Sequence, residues 1–304
     1  MIVCFDIGGS AIKTATATSP GDLRMLGRRP TPLGDLDAFV ASLAVSLADA
    51  DAPADAPVAI SITGVVDPDT RIIKCANIPA IDGLKLADLL AERLGRPVHI
   101  ANDADCFALA EAGMGAGRGY RIVFGAILGT GVGGGLVIDG RLVTGAGGFA
   151  GEWGHGPVAA TRAGDPPVDI PRLPCGCGLA GCVDTIGGAR GMERLHRHLH
   201  GIELASREIV SAWDAGDPAA ARTVEVQVDL LAGPLALVAN VVGAHVIPVG
   251  GGLANSTRFV AALDEAVRAR ILRKAVAPLV VPGTCRTEPG LIGAALLGFA
   301  GAAA

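Results

Sequence analysis

The chain has 304 residues, half of them apolar, a formal charge of −5, seven cysteines and few aromatic side chains. That length carries one large or two medium domains with a sizeable core, and two is the better expectation; the abundance of Ala and Gly predicts small side chains and closely approaching elements. The charge forms no basic stripe and there is no aromatic platform, which excludes nucleic acid as an expected partner.

Met1-Ile2-Val3-Cys4-Phe5-Asp6 lacks a basic start and a long apolar run, so it reads as a strand and not a targeting peptide, and a cytoplasmic protein is expected. The strand over residues 2–7 ends at Gly8-Gly9, and strands at 11–17 and 23–28 complete a meander. A helix at 36–47, a Pro/Ala/Asp linker at 51–57, a strand at 58–62, a helix at 86–94, a strand at 98–101 and a helix at 104–114 follow. The plan then restarts: an apolar strand at 122–128 ends in a glycine turn, and strands at 136–139 and 141–144 supply a second meander. Helices are expected at 185–199, 207–215 and 218–242, then a buried strand at 244–249, a glycine turn, and helices at 257–274 and 291–299. Residues 230–254 carry no formal charge and are long enough for a bilayer, but Pro234, Asn240, His245, Pro248 and Gly250-Gly251-Gly252 interrupt them, so a buried helix and no membrane are expected. The two halves read as diverged copies of one α/β plan. One domain spans 1–117 and is completed by a returning C-terminal helix at 290–304; the other spans 118–289.

His155 followed by Cys175-Gly176-Cys177-Gly178-Leu179-Ala180-Gly181-Cys182 has the ligand types and count of a closed tetrahedral zinc site. Buried core cysteines are the plain alternative. Disulfides are disfavoured because the cysteine count is odd and Cys4, Cys75, Cys106 and Cys285 lie far apart. Gly129-Thr130-Gly131-Val132-Gly133-Gly134-Gly135 suits backbone amides approaching phosphate oxygens, or an ordinary tight hairpin. Asp6-Ile7-Gly8-Gly9-Ser10 puts a carboxylate beside a glycine tip, where an acid faces a phosphate-bound metal or merely decorates a turn. Asn102-Asp103-Ala104, at a strand's carboxyl end, is as readily a helix cap as a catalytic pair.

These motifs, with Gly151-Glu152-Trp153-Gly154-His155 and Val249-Gly250-Gly251-Gly252, stand in the order seen in the ROK family, and the chain resembles that family of bacterial sugar kinases and related repressors over nearly its whole length. Ala76-Asn77-Ile78-Pro79-Ala80 and the run from Asn102 to Leu109 are similar to the subgroup acting on N-acetyl-D-glucosamine. The resemblance implies an α/β, actin-like ATPase (ribonuclease H-like) fold, two domains around a central cleft, and ATP-dependent phosphorylation of that sugar at its 6-hydroxyl. It implies Asp103 as general base, and Asn77, Asn102, Asp103, Glu152, His155 and Asp184 as sugar contacts. It further implies Asp6, Gly8, Gly9, Ser10, Gly129, Thr130, Gly131, Gly133, Gly134, Gly250 and Gly251 at the nucleotide, Mg²⁺ on its phosphates, structural Zn²⁺ on His155, Cys175, Cys177 and Cys182, and a homodimer. Asp184 departs from the family's usual Glu, and Gly187 or Gly188 from a Ser. Glucose and N-acetylmannosamine are alternative substrates; a sugar-responsive repressor or an inactive sugar sensor is the alternative from another class.

Overall fold

The structure, a computed structural model, describes residues 1–302; the last two positions of the expected helix at 290–304 lie outside the described residues. In chain order the elements are β1 (Ile2–Ile7), β2 (Ala11–Ser19), β3 (Asp22–Pro30), α1 (Leu36–Asp49), β4 (Val58–Ile62), β5 (Val65–Val66), β6 (Ile73–Lys74), α2 (Leu86–Leu94), β7 (Val98–Asn102), α3 (Asp103–Met114), β8 (Ile122–Leu128), β9 (Val132–Ile138) and β10 (Arg141–Val143). There follow β11 (Arg162–Ala163), β12 (Val168–Asp169), α4 (Asp184–Gly187), α5 (Ala189–His200), α6 (Ser206–Asp214), α7 (Pro218–Val242), β13 (Ile247–Gly250), α8 (Thr257–Arg268), β14 (Val280–Pro282) and α9 (Pro289–Ala302). Contacts divide the chain into two compact units, one of Met1–Gly119 with Gly135–Ala150 and the segment from Cys285, the other of Tyr120–Gly134 with Gly151–Thr284.

One sheet runs β3-β2-β1-β4-β7, antiparallel through the opening meander and parallel from β1 through β4 to β7. β1 and β4 read as continuous apolar runs because both of their faces are covered. On one face Val3, Phe5 and Ile60 pack with Phe39, Leu43, Leu86 and Leu90. On the other Ile2, Cys4 and Ala59 meet Leu291, Ala294 and Ala295 of α9. The second sheet runs β10-β9-β8-β13-β14, with β13 parallel to both of its neighbours.

Helix boundaries follow local chemistry. Asp35 and Asp217 accept from the amides three residues on and start α1 and α7, and Pro218 opens α7 where its missing N–H costs nothing. Gly95, Gly201 and Gly243 adopt left-handed conformations that end α2, α5 and α7. α7 is long and apolar enough to cross a membrane by length and composition, yet 56% of its most apolar window is buried, with Val226 and Leu230 packing on Ile186, Leu195 and Ile170.

Several expectations need correction. The helix expected at 185–199 is two helices, broken at the extended Gly188, where the chain packs on the Thr130 and Gly131 carbonyls. α8 stops at Arg268, short of residue 274, and the predicted strand at 244–249 pairs regularly only over Ile247–Gly250. β9 starts at Val132, inside the glycine run, so Gly133, Gly134 and Gly135 are strand residues and not part of the turn. The edge strand β14 and the two-residue ribbons β5/β6 and β11/β12 carry no signal long enough to read from sequence.

Candidate active site

In the first unit β1 delivers Asp6 to the turn Gly8-Gly9-Ser10. The Gly8 amide closes that turn on the Ala11 carbonyl (3.0 Å), and the Thr31 hydroxyl braces it by donating to the Gly8 carbonyl (2.6 Å). Asp6 accepts from the Ser61 hydroxyl (2.9 Å), a contact made possible by the parallel pairing of β1 with β4. Lys13, opposite Asp6 in the β1–β2 ladder, holds its ammonium 3.4 Å from Asp6 and 2.7 Å from Glu288. Burial works to lower the Lys13 pKa, but hydrogen bonding and charge from the two carboxylates outweigh it and raise the group above its ordinary value. Asn77 lies beside Gly9 and donates to the Thr63 hydroxyl at 3.0 Å.

Asn102 and Asp103 divide the two roles that sequence left open. Asn102 caps α3, its Oδ1 accepting from the Ala104 amide (2.8 Å) while its Nδ2 donates to the Gly64 carbonyl (3.1 Å). Asp103 is the first residue of the helix and exposed, and its carboxylate also accepts from the Ala104 amide (2.9 Å). The exposed acid thus sits in the positive field of a helix N-terminus, at the carboxyl end of β7.

In the second unit β8 ends at the turn Gly129-Thr130-Gly131, closed by the Gly129 amide on the Gly131 carbonyl (3.0 Å). The Ala189 amide donates to the Gly129 carbonyl (2.7 Å) and the Arg190 amide to the Thr130 carbonyl (3.4 Å), so the turn's carbonyls face the first turn of α5. A Cβ on Gly131 would lie 2.2 Å from Asp184 Oδ1, the atom that accepts from the Val132 amide at 2.8 Å. α4 starts at Asp184 itself, so this carboxylate is no helix cap; it ties the glycine turn to the cysteine segment, with Cys175 Sγ 3.7 Å from its Oδ2. Gly133 and Gly134 lie within β9, where the Gly133 carbonyl accepts from the Trp153 indole (2.8 Å) and Gly134 is buried against that ring. Gly250 ends β13, and Gly251, at φ 86°, packs on the Leu128–Gly129 peptide with no room for a side chain.

His155, Cys175, Cys177 and Cys182 place one ligand atom each within 4.8 Å of one another. The His155 Nδ1 lies 3.6 Å from Cys175 Sγ, and Cys177 Sγ lies 3.7 Å from Cys182 Sγ. A tetrahedron with metal–sulfur bonds of about 2.3 Å has edges of about 3.8 Å, so the spacing fits a single ion. With Nδ1 turned to the sulfurs, His155 Nε2 faces Glu152 at 3.7 Å. Burial raises the Glu152 pKa, His155 counters it and Asp184 adds to it. The Leu179 amide draws the exposed Cys177 thiol down to about 7, the direction that favours a metal-binding thiolate.

Residues 2–300 match the ROK family. The chain belongs to the ROK family. Similar proteins include the N-acetylgalactosamine kinase AgaK of Shewanella sp. (strain ANA-3), 38% identical over 295 residues covering 96% of this chain and 95% of that one. The N-acetyl-D-glucosamine kinase of Pectobacterium atrosepticum is 37% identical over 295 residues, 96% of this chain and 97% of that one. Among solved structures, the ROK hexokinase from Thermus thermophilus superposes with a TM-score of 0.81 at 29% identity over 99% of each chain. The ROK glucokinase from Streptomyces griseus, in complex with glucose and AMPPNP, superposes at 0.75 with 27% identity over 97% of each chain. The fold of this ROK protein is the actin-like ATPase fold. Sequence reading missed Ser61, Lys13 and Glu288 around Asp6; the hairpin register that opposes Lys13 to Asp6 was the signal available.

Proposed function

We propose that this chain is an ATP-dependent sugar kinase that phosphorylates N-acetyl-D-glucosamine at its 6-hydroxyl. The observation that carries the reading is Asp103, an exposed carboxylate at the N-terminus of α3 whose neighbour Asn102 already does the capping. As general base Asp103 takes the proton of the sugar hydroxyl; the sugar oxygen bonds to the γ-phosphorus, the bond to the β-phosphate oxygen breaks, and ADP leaves with the electron pair. Mg²⁺ would arrive with ATP as part of the substrate, and Asp6 is the residue that would hold it. Gly8 and Gly129 close the two turns through their own amides, which leaves the amides of Gly9, Ser10, Thr130 and Gly131 to meet phosphates, with Gly250 and Gly251 bordering the nucleotide. Gly133 and Gly134 serve this turn through their packing on Trp153. Asn77, Asn102, Glu152, His155 and Asp184 are assigned to sugar binding.

A zinc ion on His155, Cys175, Cys177 and Cys182 would be fully ligated by protein and so supplies structure, not chemistry. His155 Nδ1 would bind it, and Nε2 would be held toward Glu152, the carboxylate–histidine arrangement that fixes ring orientation at metal sites. N-acetylgalactosamine is the second reading, because a relative at 38% identity bears that name. A cytoplasmic location and a homodimer belong to the same proposal, the homodimer supported by the exposed Leu237, Val241, Leu272 and Val276 of α7 and the segment after α8.

Purified protein assayed for ADP release on N-acetylglucosamine, N-acetylgalactosamine, N-acetylmannosamine and glucose tests the substrate. The highest kcat/KM is expected on N-acetylglucosamine, and higher efficiency on another sugar reassigns it. Asp103→Asn should lower kcat by about 10²-fold or more with sugar binding little changed. Near-normal turnover in that variant would take the role of general base away from Asp103, while the sugar panel alone decides the kinase reading.

A further inference from the structure

Gln227 is an amide in an apolar stretch of α7. It lies among the buried Val224, Val228, Leu230 and Leu231, is itself fully buried, and donates through Nε2 to the carbonyls of Ile186 (2.9 Å) and Gly188 (3.0 Å). Two carbonyls as neighbours fix which end of the amide is the nitrogen, and Oε1 is left buried with no hydrogen-bond partner among the described residues. An orphaned acceptor is a cost that an apolar side chain of the same length would not carry. What the two hydrogens secure is a break in a helix. In an unbroken helix the Arg190 amide would donate to the Ile186 carbonyl, four residues back. It donates instead to the Thr130 carbonyl (3.4 Å), beside the bond from the Ala189 amide to the Gly129 carbonyl (2.7 Å), and Gln227 occupies the vacated Ile186 carbonyl. The Gly188 carbonyl starts α5 by accepting from the Met192 amide (2.9 Å) and takes the second Gln227 hydrogen. Gly188 has no side chain with which to hold this conformation, and a Cβ there would lie 2.7 Å from the Thr130 and Gly131 carbonyls. One turn along α7, on the same face as Gln227, Leu231 fills the space that a Cβ on Gly187 would need.

We propose that Gln227 is a positioning residue for the nucleotide: it holds the break between α4 and α5 and, through the two diverted amides, holds Gly129-Thr130-Gly131 in the form that leaves the amides of Thr130 and Gly131 outward. The proposal rests on the reading of that turn as a phosphate turn. Gln227 touches no substrate; its action runs through Ile186 and Gly188 to the first turn of α5, and from there to the carbonyls of Gly129 and Thr130. Without its two hydrogens the Arg190 amide has the Ile186 carbonyl to return to, α4 and α5 join into one helix, and the Thr130 carbonyl loses its donor. Asp184 braces the same turn at Val132, so the clamp from α7 acts on the side that Asp184 leaves unsupported.

Four variants separate this role from plain core packing. Gln227→Met keeps the length of the side chain and removes both donors, Gln227→Leu is a second apolar replacement, and Gln227→His brings a ring N–H to the place of the amide nitrogen. Leu235→Ala truncates a fully buried side chain two turns further along α7 and supplies a loss of packing away from the break. Both apolar variants should weaken binding of a non-hydrolysable ATP analogue, measured by calorimetry, by about tenfold and raise the KM for ATP to match, with the sugar KM nearly constant, because a remote change that misplaces a binding group costs affinity at that group. Gln227→His should recover most of the affinity. Leu235→Ala should lower the melting temperature and bind the analogue as the wild type does. The proposal fails if Leu235→Ala weakens the analogue as much as Gln227→Met does, if the apolar variants bind it normally, or if neither of them folds. Wild type that binds the analogue but turns over no sugar would defeat the kinase reading and leave Gln227 to be judged on the nucleotide; wild type that binds none would defeat both.

Discussion

Asp184 ties the glycine turn to the segment that carries Gly154. Its carboxylate accepts from the Val132 amide at 2.8 Å and leaves Gly131 no room for a side chain, and its backbone N–H donates to the Gly154 carbonyl (2.8 Å). The Asp in place of the family's usual Glu is therefore short enough to brace the glycine turn. Asp184→Ala would strand a partly buried amide whose bond to an ionised acceptor contributes about 1.5–3 kcal/mol. We expect a lower melting temperature and a several-fold rise in KM for ATP as well as for sugar, since the loosened turn carries Thr130 and Gly131. Asp184→Asn, which retains an acceptor for Val132, should recover most of the ATP affinity. A rise confined to the sugar KM, with ATP unaffected, would place the carboxylate on the sugar alone.

At the scale of elements, the segment from Cys175 to Cys182 is a loop with almost no regular structure of its own. The Cys175 amide donates to Leu179 (2.8 Å) and the Gly178 amide to Cys175 (3.0 Å), a tight turn that aims sulfurs inward and gains little from packing. Its order should depend on an ion. Zinc is expected to copurify at about one per chain, and Cys177→Ser should lose the metal, lower the folded yield and expose the 156–182 segment to protease. Metal-free protein with wild-type melting and protease resistance would return the cysteines to core packing. Much of this architecture was legible beforehand because it is written in local pattern: the apolar runs of β1, β4 and β8, the helical periodicity of α1 and α7, and the clustered cysteines. The break at Gly188 was not, because it is imposed by the carbonyls of Thr130 and Gly131, more than fifty residues away. Nor was the bond from Ser61 to Asp6, which exists only through the parallel register of β1 and β4. Asn102 and Asp103 were legible as a pair, but dividing cap from exposed acid took the backbone angles at β7's end.

At the scale of the whole molecule, each unit carries one histidine whose burial favours the neutral ring. Burial lowers the pKa of His99 on β7 below its ordinary 6.5. In the other unit burial lowers that of His196 on α5, and the neighbouring His200 lowers it further, against an opposing pull from Asp217. The hydrogen bonds show why the neutral form of His196 is favoured: the Thr223 hydroxyl donates to the Ala219 carbonyl (3.1 Å), so it accepts from His196 Nδ1–H (2.8 Å), and Nε2 is buried with no hydrogen-bond partner among the described residues. A proton added there would be a buried charge. For groups whose folded pKa is depressed, the unfolded chain binds more protons, so the stability they contribute is present above about pH 6.5 and is lost as pH falls through the folded values. Glu152, raised by burial, has the opposite sign and acts nearer its ordinary 4.5. The melting temperature should therefore decline from about pH 7.5 to about pH 5.5. His196→Gln, which can still donate to Thr223 and cannot charge, should flatten that decline, and the double variant with His99→Gln should flatten it further. Acid loss of a metal from His155 would contribute equally to all three proteins and cancel in the comparison of slopes. An unchanged slope in the double variant would show that neither histidine sets the acid sensitivity, whatever the absolute stability of each protein.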